Sequence, residues 1–155
     1  MAKYSLSDIF QGNYRVSQPF GANPQYYKQF GLQGHEGVDW ATPIGVQVLC
    51  PFERGIVLRA SSDRVYGYSI VIWDPKQKCA VWYCHLSKIT AGYGSQVKRG
   101  QVVGRTGNSG NSSGPHLHVN FVETDVYGNR LNRTNGYQGF RNILRGDLVS
   151  WRLTR

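Results

Sequence analysis

The sequence predicts a mainly β protein, a single domain built around an antiparallel sheet with few, short helices. Three observations carry this. A chain of 155 residues falls in the size range of one compact domain and leaves little room for a second core. Its 19 glycines punctuate short apolar runs rich in Val, Ile, Tyr and Trp, the pattern of short strands joined by turns. No long segment carries a helical period, so helices are expected to be few.

Six strands are expected, at Val46 to Cys50, Gly55 to Arg59, Ser69 to Trp73, Cys79 to Cys84, Val102 to Gly104 and His116 to Glu123. Short links between them favour antiparallel pairing. The connection Asp74-Pro-Lys-Gln-Lys78 suits a hairpin, because proline and aspartate both favour turns. Residues 1–34 and 124–155 are the least regular and are expected to wrap the sheet. The stretch Gly107-Asn-Ser-Gly-Asn-Ser-Ser-Gly114 has a linker's composition, yet strands flank it closely, so it reads as a loop inside the domain. The whole chain, 1–155, is therefore taken as one unit with a motif-bearing core at about 15–123 and a basic extension at 124–155.

Composition narrows the class. With 40% hydrophobic and 17% charged residues, the chain is neither disordered nor a membrane span. No stretch approaches the roughly 20 apolar residues of a transmembrane helix, and the opening MAKYSLSDIF lacks the apolar core of a secretory signal. The charge of +9 favours polyanionic surroundings: nucleic acid, anionic lipid or an anionic bacterial wall. Over residues 130–155 six arginines stand against Asp147 alone, so more than half the excess sits in the tail. The three cysteines, Cys50, Cys79 and Cys84, are an odd number and read as reduced core residues. A metal site from Cys79, Cys84 and His85 is disfavoured, because along a straight strand Cys84 faces away from the other two.

The four histidines carry the chemistry. His35 lies in His35-Glu-Gly-Val-Asp39, His85 in Tyr83-Cys-His85-Leu-Ser, and the others in His116-Leu-His118. His116 and His118 share a face only on a strand, and Val119-Asn-Phe-Val122 supports a strand there. The histidine face then continues through Asn120 and Val122, with Leu117, Val119 and Phe121 on the other. His35 and Asp39 share one side of either an extended or a helical segment, and Gly37 with the run Val38 to Pro43 argues for extended chain. Imidazoles with one carboxylate are a recurrent set for catalytic zinc. Spacing alone leaves open which residues bind metal, since His35, Asp39, His116 and His118 together would close the site.

Gly104-Arg-Thr-Gly107-Asn-Ser-Gly110 lacks the ending of a phosphate-binding loop, so its glycines read as turns and a narrow wall beside the cleft. Tyr66, Tyr68, Trp73, Trp82 and Tyr83 read as packing residues of the sheet. No Gly-x-Ser-x-Gly elbow is present for a serine nucleophile.

The sequence resembles the lysostaphin and LytM type of zinc endopeptidase from about Arg15 to Glu123. The resemblance runs through Pro19-Phe-Gly21, His35-Glu-Gly-Val-Asp39, Tyr83-Cys-His85-Leu-Ser, Val97-Lys-Arg-Gly-Gln-Val-Val-Gly104, Thr106-Gly107 and Gly114-Pro-His116-Leu-His118. It implies an antiparallel sheet with a groove walled by loops, and one zinc ion held by His35, Asp39 and His118, with a position left for water. It assigns His85 and His116 to catalysis. It does not single out a transition-state tyrosine among Tyr26, Tyr27 and their neighbours, and Glu53-Arg-Gly55 departs from the usual Asp-Gly at a position away from the ligands.

The function implied is hydrolysis of peptide bonds in bacterial peptidoglycan crosslinks, at the periplasmic or extracellular wall. A phage lysin released from the cytoplasm is one setting for it. A catalytically silent wall-binding or regulatory module of the same fold is the alternative. No nucleic acid partner and no membrane insertion are expected, and the protein is expected to act as a monomer.

Overall fold

In a computed structural model, which describes residues 3–4, 6–32, 34–130 and 149–150, eleven strands carry the chain. They are β1 (Lys3–Tyr4), β2 (Val16–Gln18), β3 (Val38–Trp40), β4 (Gln47–Leu49), β5 (Gly55–Asp63), β6 (Gly67–Asp74), β7 (Cys79–Ile89), β8 (Gln96–Val97), β9 (Val102–Thr106), β10 (Leu117–Glu123) and β11 (Val149–Ser150). One four-residue helix, α1 (Pro24–Tyr27), follows Asn23 and is continued by a single 3-10 turn at Lys28–Phe30. Pro24 opens it because its missing N–H would be unpaired there in any residue.

Every strand pair is antiparallel. The main sheet runs β2-β3-β10-β7-β6-β5-β8, with β9 joining β7 and β4 joining β9, while β1 pairs with β11 separately. The Asp74–Lys78 connection is a hairpin, with Asp74 opposite Cys79. Asp74 Oδ1 accepts the N–H groups of Lys76 and Gln77 at 3.0 and 3.2 Å, the local bond that makes aspartate a turn residue.

Strands outrun their sequence signals where polar residues extend a ladder beyond the core. β5 continues past Arg59 to Asp63 and pairs with β6 down to Gly67, forming a hairpin arm whose far end is largely exposed. β7 continues past Cys84 to Ile89, because its second half leaves β10 and pairs with β9, Leu86 to Ile89 against Thr106 to Gly104, while Leu86 still pairs with Tyr68 of β6. The core holds Phe10, Trp40, Phe52, Ile70, Ile72, Tyr83, Leu117 and Phe121, all essentially inaccessible. Tyr83 reconciles burial with its hydroxyl by donating to the Leu49 carbonyl at 2.8 Å.

Residues 16–18 lie on the sheet edge as β2, and residues 124–130 fold back as a loop bridged from Thr124 to Arg130. Of the basic extension, residues 131–148 and 151–155 lie outside the described residues. Among the described residues no helix is long and apolar enough to cross a membrane.

Candidate metal centre and its groove

Three neighbouring strands bring the histidine motifs together. β10 lies between β3 and β7, with His118 opposite Asp39 on one side and opposite Cys84 on the other. Asp39 is therefore placed by β3, His118 by β10, and His85 by β7. His116 immediately precedes β10 in an isolated bridge with Gly107, and both His116 and His118 line the groove. His35 is not on the strand with Asp39; it sits in the loop before β3. Its N–H bonds to the Ala22 carbonyl at 2.9 Å, and its own carbonyl accepts from Gly21 at 2.8 Å, which fixes the loop without a sheet ladder.

His35 Nε2, Asp39 Oδ1 and His118 Nδ1 converge. The separations are 3.0 Å between the two nitrogens, 3.3 Å from His35 to Asp39 and 2.8 Å from His118 to Asp39. A tetrahedron with metal–nitrogen bonds of about 2.0–2.1 Å has edges of about 3.3 Å, so this donor set fits zinc with only small adjustment. It is the one such cluster found among the described residues. His35 Nδ1 faces the Pro19 carbonyl at 3.3 Å. A carbonyl only accepts, so Nδ1 carries the proton and Nε2 offers its lone pair to the cluster, the arrangement by which neighbouring groups orient a histidine ligand. Burial opposes ionisation of Asp39, but the hydrogen bond from His118 and the close approach of the His35 ring outweigh it and hold the carboxyl well below its ordinary value. The donor set thus carries a carboxylate at neutral pH.

His116 and His85 stand beside this cluster rather than in it. His116 Nε2 is 3.7 Å from Asp39 Oδ2, while its Nδ1 donates to the Gly114 carbonyl at 2.8 Å and lies 3.2 Å from Ser112 Oγ. His85 Nδ1 donates to the Ser109 carbonyl at 2.7 Å. In each neutral ring Nε2 is therefore the nitrogen left with a lone pair, and the ring centroids are 4.8 Å apart.

A groove of about 890 Å³ passes over these residues. One wall carries Tyr26, Tyr27 and Phe30 from α1 and its continuing turn; the other carries Val65, Tyr66 and residues 111–115. Tyr27 stacks obliquely on His35, with centroids 5.5 Å apart. Burial and the nearby Asp39 charge raise its pKa, so its phenol keeps its proton. The sequence offers no signal that selects Tyr27 over Tyr26, since only the helical turn decides which ring faces His35. Ser112, four residues before His116, and Ser109 were equally unmarked within a low-complexity loop.

The cysteines lie apart from this chemistry. All three are free and buried, and burial pushes Cys50 up to about 11 and Cys84 higher still. Cys79 sits at the far end of β7, opposite Glu123, so the alternative set of Cys79, Cys84 and His85 is not assembled.

One pH dependence follows for the metal-free protein. Burial makes a charged His85 costly and lowers its pKa to about 4, the Ser109 carbonyl working the other way. The unfolded chain takes up this proton near the ordinary value of about 6.5, so between those values the unfolded state binds more protons. Stability therefore falls as pH drops from about 6.5 to 4 and levels off below. His85→Asn, which tolerates the same backbone, is expected to make the slope shallower by up to about 1 kcal/mol per pH unit. Urea titrations across the window check this; an unchanged slope counts against it.

The family model described as "Peptidase family M23" matches residues 33–132. Lysostaphin from Staphylococcus simulans is 34% identical over 119 residues, covering 76% of this chain and 23% of the relative. The peptidoglycan DD-endopeptidase ShyA of Vibrio cholerae is 31% identical over 123 residues, covering 76% and 28%. The chain thus spans about a quarter of the length of these curated relatives. A crystal structure of a zinc-containing peptidase from Vibrio cholerae superposes with a TM-score of 0.66 at 28% identity, covering 86% of this chain and 40% of that one.

Proposed function

The chain belongs to peptidase family M23, and from that premise we propose that it is a zinc-dependent endopeptidase hydrolysing peptide bonds in bacterial peptidoglycan crosslinks. The observation that carries the proposal is the convergence of His35 Nε2, Asp39 Oδ1 and His118 Nδ1 within 3.3 Å of one another, beside two further imidazoles whose Nδ1 atoms are held by backbone carbonyls. His35, Asp39 and His118 would hold the ion. When bound, zinc supplies a Lewis acid that polarises the scissile carbonyl and makes water acidic enough to attack at neutral pH.

The chain's own residues do the rest. An extended peptide lies in the groove between the Tyr26–Phe30 wall and the Val65–Pro115 wall. His116, with Nδ1–H committed to the Gly114 carbonyl, takes the proton of the attacking water at Nε2. His85, whose ring neighbours His116, takes that proton over from His116 at Nε2 and passes it to the leaving amine as the C–N bond breaks. The Tyr27 phenol, protonated and beside His35, is a further donor at this wall.

Residues 1–155 are proposed to work as one peptidase unit, and the basic extension at 124–155 to hold it near the anionic wall. The action is at the wall itself, and a phage lysin released from inside the host is one setting in which such an enzyme meets it. The test is incubation of the purified protein with peptidoglycan, with and without a chelator, and identification of newly freed amines by mass spectrometry. Chelator-sensitive release is expected. Tight wall binding with no release on several wall chemistries would instead identify a silent binding module.

A further inference from the structure

The serine- and glycine-rich segment 107–114 does more than wall the groove: it is knitted to the β5–β6 arm at close quarters. Asn111 N–H donates to the Val65 carbonyl at 3.0 Å, and Tyr68 N–H donates to Ser109 Oγ at 3.0 Å. Gly110 has φ +77°, and a Cβ there would stand 2.3 Å from the Gly67 nitrogen. Gly67 has φ +63°, and a Cβ on it would stand 2.3 Å from Ser109 Oγ. Neither position admits a side chain without displacing the other segment.

The ring that this contact supports is in an unfavourable backbone state. His85 has φ +60°, a region that costs a non-glycine residue free energy and persists only when the surroundings impose it. It sits in a bulge of β7, where Tyr83 pairs with Ile70 but Leu86 pairs with Tyr68. Its N–H donates to the Tyr66 carbonyl at 2.8 Å. Ser109 supplies the remaining hold from two atoms: Oγ donates to the carbonyl of Leu86, and its own carbonyl accepts His85 Nδ1–H at 2.7 Å.

We propose that Ser109 is the positioning residue for His85, gripping the β7 bulge through its hydroxyl and the imidazole through its carbonyl, so that the ring is fixed as the Nδ1–H tautomer with a bare Nε2 turned into the groove. The kinetic part of this rests on the peptidase reading above; the tautomer part does not. Removing the hydroxyl frees the loop from Leu86 and Tyr68 while leaving the carbonyl in place, so the carbonyl drifts and the ring samples both tautomers. His85 then presents a usable nitrogen for only part of the time, without any change in the metal ligands.

The experiment is a long-range 1H–15N correlation spectrum of the histidine-labelled full chain, zinc-free and zinc-loaded, with steady-state kinetics on peptidoglycan fragments. In the unaltered protein His85 is expected as a single Nδ1–H tautomer. Ser109→Ala is expected to show a mixture of tautomers and to lower kcat about tenfold, a part of the roughly 10²–10⁴-fold that a positioned acid–base group supplies, with KM and zinc content changed less than about twofold. Gly67→Ala, which pushes a carbon against the retained hydroxyl, should reproduce the tautomer mixture. An Nε2–H tautomer in the unaltered protein overturns the proposal, as does a Ser109→Ala variant with one tautomer and full kcat, or one whose kcat falls only together with zinc or fold. If no hydrolysis is seen at all, the spectra still decide this question, and the failure belongs to the peptidase reading.

Discussion

His118→Ala is expected to lose zinc and activity together, whereas His116→Ala is expected to keep zinc and lose hydrolysis by about 10²–10⁴-fold, the span that a positioned general base contributes. The difference is geometric. His118 Nδ1 lies 2.8 Å from Asp39 Oδ1 and 3.0 Å from His35 Nε2, inside the converging set, so its removal deletes one of three protein ligands. His116 Nε2 approaches only the other carboxylate oxygen, at 3.7 Å, and its ring is anchored away from the cluster by Gly114 and Ser112. Zinc per chain, measured by atomic absorption after dialysis, and amine release from peptidoglycan separate the two variants. His116→Ala protein that comes out of dialysis without zinc would move His116 into the ligand set. Full activity in that variant would remove it from the proton transfer.

How far this site was legible beforehand depended on whether local geometry is set by a repeating backbone. The two-residue spacing of His116 and His118 placed both on the groove side because the extended chain of β10 begins at Leu117 and His116, just before it, is held by a bridge to Gly107. The parity rule fails at β7. Tyr83 and His85 are two apart and on a regular strand would share a face, yet Tyr83 is fully buried in the core while His85 lines the groove. The bulge inserts a residue and a positive φ at His85, and nothing in Tyr83-Cys-His85-Leu marks it, since glycine or asparagine is the usual occupant of that conformation. His35 likewise departs from the extended run expected to carry it, because its loop is held by backbone bonds to Gly21 and Ala22, contacts made by residues 13 and more positions upstream.

The fold was legible for a different reason. Alternation and turn residues report which segments are strands, and short links report that they pair antiparallel. The same signals stop where burial stops: the outer ends of β5 and β7 are polar or half-exposed, and their pairing is dictated by a neighbouring strand rather than by their own apolar pattern. The groove walls were least legible of all, since Tyr26 and Tyr27 are presented by a helix of one turn and Phe30 by the 3-10 turn that continues it, both shorter than any periodicity can report.

Gly37→Ala should weaken zinc binding and stability at once, although Gly37 binds nothing. A Cβ at this position would stand 2.2 Å from the Val119 carbonyl oxygen and 2.8 and 2.9 Å from Cε1 and Nε2 of His118. Val119 pairs with Val38 on one side and Tyr83 on the other, so its carbonyl belongs to the middle of the sheet and is poorly placed to yield. The displacement therefore falls on the His118 ring or on the loop between His35 and Asp39, and either movement separates the three donors. Overpacking of this kind costs about 1–3 kcal/mol, and misplacing a ligand is expected to weaken zinc by about 10–100-fold, comparable to the loss of an orienting group around a metal. Gly92→Ala is the control, because a Cβ there meets nothing within 4 Å and Gly92 does not line the groove. Competition with a chromogenic chelator and thermal denaturation of both variants measure the two effects. A Gly37→Ala protein that binds zinc and melts like the Gly92→Ala control would show that the loop carrying His35 and Asp39 can retreat from β10 without disturbing the ligands, and that the close approach is tolerated rather than required.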